Sequence, residues 1–369
     1  MERKFVIVAA LCVMAWLTLI MQCSHNNKEN EPPQQDTLVV EDTITAHEEC
    51  NSAYYWKTVF KLDNTEQRFL KTHNVDRLYI RMFDVVENTL LGDDKFRVEK
   101  LVPNATIIFK DSLSVKHIVP TVYITIDALR CMDRTAYFQP YYWAGQILTR
   151  IMNICSYNDL RGVDEIQLDC DWTESTQEIF FELCDDMRTQ MDRRSDTKCM
   201  ALSSTIRLHQ LSQSPPPVDC GVLMVYNTGS FLNPDIKNSI LSYDDVKPYL
   251  GKLKTYPLHL DFAYPIYRWG LVYRNDNFEG LLRDTDISTL QTTKLKDGRY
   301  KVLLDGYVNG KKVMNGDIIR IENSDYRTVL KVKNAIEELV QEEHSTILYH
   351  LASENITRYK EEEINEIYK

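Results

Sequence analysis

One short stretch, residues 162–174, limits what this chain can fold into more than any other. Its sequence is GVDEIQLDCDWTE. Apolar and polar residues alternate along it, which predicts a β-strand and puts Asp169 and Asp171 on the same face. A helical pattern follows from about 174 to 194, with Thr173 as its predicted cap. A strand that ends in carboxylates and passes directly into a helix is typical of an α/β barrel.

The rest of the chain repeats this alternation of strand and helix. A length of 369 residues with 44% apolar residues allows one large core. Short strands with Asp-Gly and Asn-Gly turns over residues 277–322 predict an inserted β-hairpin layer before the last strand. We therefore predict an α/β fold, a (β/α)8 TIM-type barrel, over residues 53–369. Besides the central stretch, its strands are predicted at 54–60, 75–86, 117–125, 199–206, 221–227, 256–264 and 346–351.

The amino-terminal segment has the pattern of an export signal. Two basic residues precede an apolar run over residues 5–21, and Cys23 follows where a bacterial lipoprotein carries its lipidated cysteine. We predict a signal peptide over 1–22 and a flexible tether over 23–52, which would hold the protein at the bacterial cell envelope through a lipid anchor. An uncleaved transmembrane anchor is the alternative.

Composition narrows the class of ligand. A formal charge of -11 argues against a nucleic-acid partner, because phosphate binding needs a basic surface. The chain has 21 Tyr and 5 Trp, which favours a neutral polar ligand such as a carbohydrate. The cysteines show no C-x-x-C spacing, so no zinc site is predicted, and no cofactor is indicated. The oligomeric state stays open.

In a barrel the carboxyl ends of the strands meet at one face, and acids and aromatic rings are predicted there. Glycosidases need two carboxyl groups beside the sugar bond, one of them protonated. We predict Asp171 and Asp169 as catalytic residues, with Asp169, Asp84 or Asp261 as the possible partner of Asp171. Alternatively, Asp169 forms a structural ion pair with an arginine across the barrel. The predicted substrate-binding residues are Arg81, Asp84, Trp172, Arg207, Tyr226, Asn227, Asp261 and Trp269.

Two strands carry a resemblance to the chitinase-like family 18 glycoside hydrolases. The family's fourth-strand motif D-x-x-D-x-D-x-E is similar to Asp164, Gln167, Asp169 and Asp171, and its sixth-strand M-x-Y-D is similar to Met224, Tyr226 and Asn227. The resemblance implies that residue 171 is the acid, and that Tyr226 and residue 227 support the substrate's acetamido group as nucleophile.

The chain departs from that pattern at Gln167, Asp171 and Asn227, where the family has Asp, Glu and Asp. These departures support a second hypothesis, a barrel without catalysis that binds glycan or scaffolds an envelope complex. A metal-dependent hydrolase built on Asp169, Asp171 and His209 is a third.

A further resemblance runs through most of the chain, from about residue 54 to 350. The stretches LYIRMFDVV, QLDCDWTEST, TIRLHQ, LMVYNTG and YPLHLDFAYPIYRWG are similar to a family of TIM-barrel-like exported lipoproteins of gut Bacteroidetes. This resemblance implies the fold and the location, and it does not imply an activity.

Overall fold

The structure, a computed structural model, describes residues 48–89, 100–132, 139–283 and 285–369. The predicted signal peptide, Cys23 and most of the predicted tether lie outside these ranges. Within them, no helix combines the length and the apolar composition that crossing a bilayer requires.

The described elements of the first half alternate between strands and helices, with two short strands added. They are β1 (Asn51–Tyr55), β2 (Val59–Phe60), α1 (Asn64–Thr72), β3 (Val75–Glu87), β4 (Leu101–Asn104), β5 (Ile108–Phe109), β6 (His117–Ile124), α2 (Ile126–Cys131), α3 (Pro140–Tyr157), β7 (Glu165–Asp169) and α4 (Gln177–Asp192).

The second half begins with β8 (Ala201–Arg207), a 3-10 helix (Leu208–Ser212), β9 (Cys220–Met224), α5 (Tyr243–Leu253) and β10 (Leu260–Pro265). Seven strands follow: β11 (Arg268–Arg274), β12 (Asn277–Leu282), β13 (Thr292–Lys294), β14 (Arg299–Val302), β15 (Gly306–Val308), β16 (Lys311–Val313) and β17 (Ile318–Asn323). The chain ends with α6 (Tyr326–Glu337), β18 (Thr346–Tyr349), α7 (Ser353–Ile356) and α8 (Glu361–Tyr368).

Eight parallel strands close into a barrel, which confirms the predicted fold. Their order is β1, β18, β10, β9, β8, β7, β6 and β3, and pairing of β3 with β1 closes the ring. Not every barrel strand is followed directly by an α-helix. In the described residues β3 leads into the antiparallel strand β4, and β8 leads into a 3-10 helix.

The inserted β layer lies between the seventh and eighth barrel strands, as predicted. It is a five-stranded antiparallel sheet, ordered β12, β11, β17, β14 and β13, with β15 and β16 as a separate hairpin. Val272, Val302 and Ile319 belong to its own apolar core. It begins at Arg268 rather than near residue 277, because β10 passes into β11 after two residues.

Side-chain alternation divides the barrel strands between two environments. On β7 Ile166 and Leu168 join the large apolar core between the barrel and its helices, as the strand pattern predicted. A smaller cluster that includes Tyr54, Tyr79 and Met224 fills the barrel interior. Polar side chains such as Gln167 therefore line the interior, where each needs a hydrogen-bond partner.

The helices α1 and α4 begin differently. Asp63 caps α1 through a capping box with Glu66. The cap of α4 is Thr176 and not Thr173. Residues 173–176 form a turn first, in which the Thr176 N–H donates to the Thr173 carbonyl at 2.9 Å, and this turn delays the helix.

Candidate functional site

The first part of the site depends on a β-bulge in β3. Arg81 pairs with Thr121 of β6 and Phe83 with Val122, so the register shifts by one residue between them. Without that shift Arg81 and Asp84, three residues apart, would point to opposite faces. With it, the Arg81 Nε donates to Asp84 Oδ1 at 2.7 Å, and Nη2 contacts Oδ2. The result is a bidentate ion pair within one strand.

The second part is a cluster of one arginine and two carboxylates. Arg207, at the end of β8, contacts Asp169 Oδ1 through Nη2 at 3.0 Å and donates from Nε to Asp171. Thr205 also donates to Asp169, at 2.6 Å. Asp169 is buried, whereas 45% of the Asp171 side chain is exposed. The alternative prediction of an Asp169–arginine ion pair is confirmed.

Burial and charge act in opposite directions in this cluster. Burial raises the pKa of Asp169, while Arg207 and Thr205 oppose that shift. Burial alone would lower the pKa of Arg207, yet the two carboxylates raise it, so the guanidinium stays charged. Its third nitrogen, Nη1, is buried and has no hydrogen-bond partner among the described residues.

Tyr349, at the end of β18, is the centre of an aromatic cluster. Its ring stacks on Tyr226, with 4.6 Å between the ring centroids. The rings of Tyr54, Trp56 and Tyr267 lie 5.6, 5.7 and 5.7 Å from it. We call the face formed by these rings, Arg81, Asp84, Asp169, Asp171 and Arg207 the barrel mouth. It joins flat apolar surface to charged groups.

Tyr349 also connects the two charged parts electrostatically. Burial raises the pKa of its hydroxyl first, and Asp169 raises it further, whereas Arg207, Arg81 and Arg283 lower it. The net shift is upward, so the hydroxyl remains protonated at neutral pH and available as a donor. The charges of Arg81 and Arg207 thus both lower the pKa of one hydroxyl.

Below the mouth, the barrel interior is polar but uncharged at Gln167. Tyr54 donates to its Oε1 at 2.7 Å, and Thr121 contacts the same atom at 3.4 Å. Its Nε2 donates to Ser203 at 3.3 Å. An amide suits this position because it both accepts and donates, which a carboxylate does not.

The inserted sheet lies beside the mouth. Two predicted binding residues, Trp269 and Asn227, form hydrogen bonds with this sheet or with the link that leads into it. The Trp269 Nε1 donates to Glu322 at 2.7 Å, and Glu322 also pairs with the buried Arg320. Asn227, with φ 53°, accepts a hydrogen bond from Tyr267 at 2.6 Å. Asn227 is exposed and Trp269 half-buried, so both already have protein partners while keeping accessible surface.

Asp261 lies at the other end of the barrel, and its prediction as a site residue is wrong. The strand β10 begins at Leu260, later than predicted, so Asp261 stands near its amino end. It is 1% exposed and accepts the Ser345 backbone N–H at 2.6 Å. Asp261 is therefore not a partner for Asp171.

Trp172 is also not a site residue. Its side chain is fully buried, and its ring stacks near Phe180 with centroids 6.3 Å apart. It belongs to the core between barrel and helices, on the side to which Cys170 also points. The ring has no free face for a sugar, so the predicted platform role is wrong.

Four tyrosines at or near the mouth were missed, Tyr54, Tyr123, Tyr267 and Tyr349, although a strand-end rule would have found all but Tyr267. Tyr349 is the last residue of β18. Tyr123 is the next-to-last residue of β6 and stands between Asp84 and Asp169 in register. Burial, followed by Asp171, raises its pKa to about 12. Tyr267 lies in the short link after β10, where no sequence pattern indicated a site residue.

No three His, Cys, Asp or Glu side chains in the described part of the chain are placed to hold a metal ion. The arrangement therefore gives no support to a metal site on Asp169, Asp171 and His209.

Comparison with known proteins finds only solved structures of low similarity. No protein-family model matches the chain, and no curated protein does. Among solved structures, the spore cortex-lytic enzyme SleL of Bacillus cereus is 13% identical, with a TM-score of 0.47, covering 86% of this chain and 74% of that one. A chitinase of Chromobacterium violaceum is 9% identical, with a TM-score of 0.45 and coverage of 82% and 95%.

A family 18 chitinase of Pseudoalteromonas aurantia is 10% identical, with a TM-score of 0.43 and coverage of 86% and 99%. The chain is thus distantly similar to these chitinase-like structures, but TM-scores below 0.5 carry no argument about its family or its reaction. Its similarity to exported lipoproteins stays a prediction.

Proposed function

We propose that the barrel mouth binds a carbohydrate without hydrolysing it. The observation that carries this proposal is that one guanidinium, Arg207, holds both candidate catalytic carboxylates, Asp169 and Asp171. The only other predicted acid at the mouth, Asp84, is held by Arg81 in the same way.

Binding is supported by the combination of rings and polar groups. The Tyr226 and Tyr349 rings stack on one another, and Trp56 lies at their edge with part of its surface exposed. Aromatic rings pack on the apolar faces of sugars, while charged donors and acceptors bind the hydroxyl groups. The mouth supplies both within one face.

The ion pairs argue against hydrolysis. A glycosidase acid must be protonated to donate to the leaving oxygen. One oxygen of Asp171 already accepts a hydrogen bond from Arg207 Nε, so that oxygen is not free to serve a sugar's leaving group. Burial does raise the pKa of Asp169, but its side chain is only 5% exposed, too little to reach a glycosidic oxygen.

Calorimetric titration with tetrasaccharides of N-acetylglucosamine, glucose and galacturonic acid tests the proposal. We expect at least one to bind, and we expect Trp56→Ala to weaken that binding about tenfold by removing a stacking face. Trp172→Phe is the matched control, because the same residue type there lies in the core. A reducing-end assay on the bound sugar should detect no cleavage. Absence of binding to the whole panel would overturn the proposal.

A glycoside hydrolase with Asp171 as the acid is the second candidate. Its support is the 45% exposure of the Asp171 side chain, which makes it the accessible carboxylate of the cluster. If this candidate is correct, the wild type releases reducing ends, and Asp171→Asn lowers that rate by roughly a hundredfold or more. Turnover unaffected by Asp171→Asn would eliminate the assignment.

We also propose that the protein is held at the cell envelope by lipid on Cys23. The support is the apolar run over residues 5–21 with a cysteine two residues beyond it. Expression in a bacterial host with labelled palmitate should label the wild-type chain and move it to the membrane fraction. Cys23→Ser should abolish the label, and a label that persists in this variant would contradict the proposal.

A further inference from the structure

We propose that one rim of the inserted sheet docks on a membrane surface that carries anionic lipid head groups. The rim is the stretch 291–314, which contains β13, β14, the hairpin of β15 and β16, and the links between them. Exposed apolar side chains and an excess of positive charge coincide there. The inference does not depend on carbohydrate binding at the barrel mouth.

Nearly half of the exposed large apolar side chains of the described ranges lie on the rim. Eleven such side chains are exposed in those ranges, and five of them belong to residues 291–314. They are Leu295, Leu303, Leu304, Tyr307 and Met314, with Leu304 exposed to 55% and Tyr307 to 64%. A concentration of exposed apolar surface of this kind is typical of a contact surface.

Strand pairing puts part of this apolar surface on one face of the β13–β14 hairpin. Thr293 pairs with Lys301. The backbone N–H groups of Leu295 and Leu303 donate to the facing chain at 2.8 Å, which extends the pairing at both ends. Residues that alternate along a strand share a face, so both leucines and Lys301 project to the same side. Val302 points to the other side, into the apolar core of the insert.

The two links that join the β15–β16 hairpin to the sheet continue this surface. The Asn315 N–H donates to Asp305 Oδ1 at 2.8 Å, so the two links lie against each other. Leu304 and Met314 are the neighbours of these residues in the chain, and Tyr307 follows two residues beyond Asp305. The exposed apolar side chains therefore follow one connected rim.

The rim is basic although the chain is acidic. Residues 291–314 contain six Lys and Arg and two Asp, a net charge of +4, whereas the whole chain carries -11, so the remaining residues carry -15. The lysines at positions 294, 296, 301 and 312 are exposed. An anionic surface attracts the rim and repels the rest of the chain, which selects one orientation of the protein on that surface.

A lipid surface fits this composition better than a protein partner does. Protein interfaces are enriched in Arg and depleted in Lys, yet five of the six cations of the rim are lysines. At a bilayer surface, leucine and tyrosine side chains enter the boundary between head groups and acyl chains. The flexible lysine stems meanwhile extend their charge to the lipid phosphates.

Hydrogen exchange of the full-length protein reconstituted into vesicles tests the inference. One vesicle is phosphatidylcholine alone, and the other is an equal mixture of phosphatidylcholine and phosphatidylglycerol. Any contribution of the amino-terminal segment to membrane binding is common to both, so exchange of the rim's backbone amides is the quantity compared. We expect amides of the links 303–305 and 314–316 to exchange about fivefold or more slowly on the anionic vesicle, since one lysine near such a surface contributes about that factor.

Substitution of two lysines should remove most of this protection. The variant is Lys294→Gln with Lys296→Gln, and its matched control is Lys252→Gln with Lys254→Gln, which changes two exposed lysines of the same spacing at the end of α5. All four positions are exposed, so thermal unfolding should be unchanged in both variants. The control should keep the protection of the wild type.

Three outcomes would overturn the inference. Equal exchange of the rim on the two vesicles shows that it does not recognise anionic lipid. Equal loss of protection in both lysine variants shows that the overall charge of the chain is responsible rather than the rim. Protection that appears without vesicles and grows with protein concentration assigns the rim to a second copy of this chain instead.

Discussion

The two arginines of the barrel mouth are both paired with carboxylates, but in different arrangements. Arg81 is satisfied within its own strand, by both oxygens of Asp84. Arg207 is satisfied across strands, by Asp169 at the end of β7 and by Asp171 just beyond it. Arg81 thus forms a closed pair, whereas Arg207 joins two parts of the chain, and its Nη1 has no partner within the described ranges.

The Arg81 pair stabilises the geometry of one strand, whereas the Arg207 cluster holds two neighbouring strands together. Loss of the Arg81 pair leaves one strand with an unpaired carboxylate. Loss of Arg207 leaves two carboxylates near each other, one of them buried at the carboxyl end of β7. We therefore expect the two clusters to contribute unequally to stability, and four measurements examine this expectation.

The largest expected effect is that of Arg207→Ala. Removing the partner of a buried charge costs about 3–5 kcal/mol, and Arg207 is only 20% exposed, so screening by solvent is limited. Urea unfolding should show this loss in the free energy of unfolding. The double variant Arg207→Ala with Asp169→Asn should regain part of it, because the buried charge is then gone. A loss below about 1 kcal/mol in the single variant would show that Asp169 does not depend on Arg207.

Arg81→Ala should have a smaller effect. It leaves the carboxylate of Asp84 nearly buried without its bidentate partner, which costs roughly 1–3 kcal/mol. The same unfolding experiment measures it, with Arg130→Ala as a control on an exposed pair, where we expect little change. If Arg81→Ala lowered the free energy of unfolding more than Arg207→Ala, the expected difference between the closed pair and the bridging cluster would be contradicted.

The pH dependence of stability should distinguish Asp169 from ordinary carboxylates. Because burial raises its pKa in the folded state, the folded protein holds that proton more tightly than the unfolded chain. Its contribution is therefore present below the unfolded value of 3.8 and is lost as the pH rises through the folded value. Asp169→Asn should flatten this decline when unfolding is followed at several pH values above 4. An unchanged slope would contradict the direction of the shift.

The smallest expected effect is the coupling between the clusters. They share no hydrogen-bond partner among the described residues, so the losses in Arg81→Ala and Arg207→Ala should add to within about 0.5 kcal/mol in the double variant. A larger interaction energy would mean that the two arginines, whose charges both lower the pKa of Tyr349, are energetically coupled. That result would mean that the two clusters stabilise the fold as one unit rather than independently.

The barrel and half of the site were predictable from sequence because they depend on periodicity. Alternation on β7 places Asp169 inward, and the strand's end places Asp171 after it, with Arg207 at the corresponding end of β8. These positions follow from strand geometry alone. The ion pair between Asp169 and Arg207 was accordingly among the interpretations that the sequence supported.

The other site residues depended on where strands begin and on how side chains pack, and periodicity determines neither. Asp261 was misplaced because apolar and polar residues alternate for several positions before β10 begins at Leu260. Trp172 was predicted to bind the ligand because it follows two aspartates, although the helix that comes next, α4, buries it. Tyr349 was overlooked because its importance comes from four rings on three other segments that only the closed barrel brings together.

The bulge in β3 has a consequence for comparing this chain with its relatives. From Tyr79 to Arg81 the inward positions are odd-numbered, and from Asp84 onward they are even-numbered. An alignment that carries β3 through without a gap will therefore match inward residues to outward ones after Met82. Homologues that lack the additional residue should be recognised by an acid at the position of Phe83, and a one-residue gap there marks where the Arg81–Asp84 pair was gained or lost.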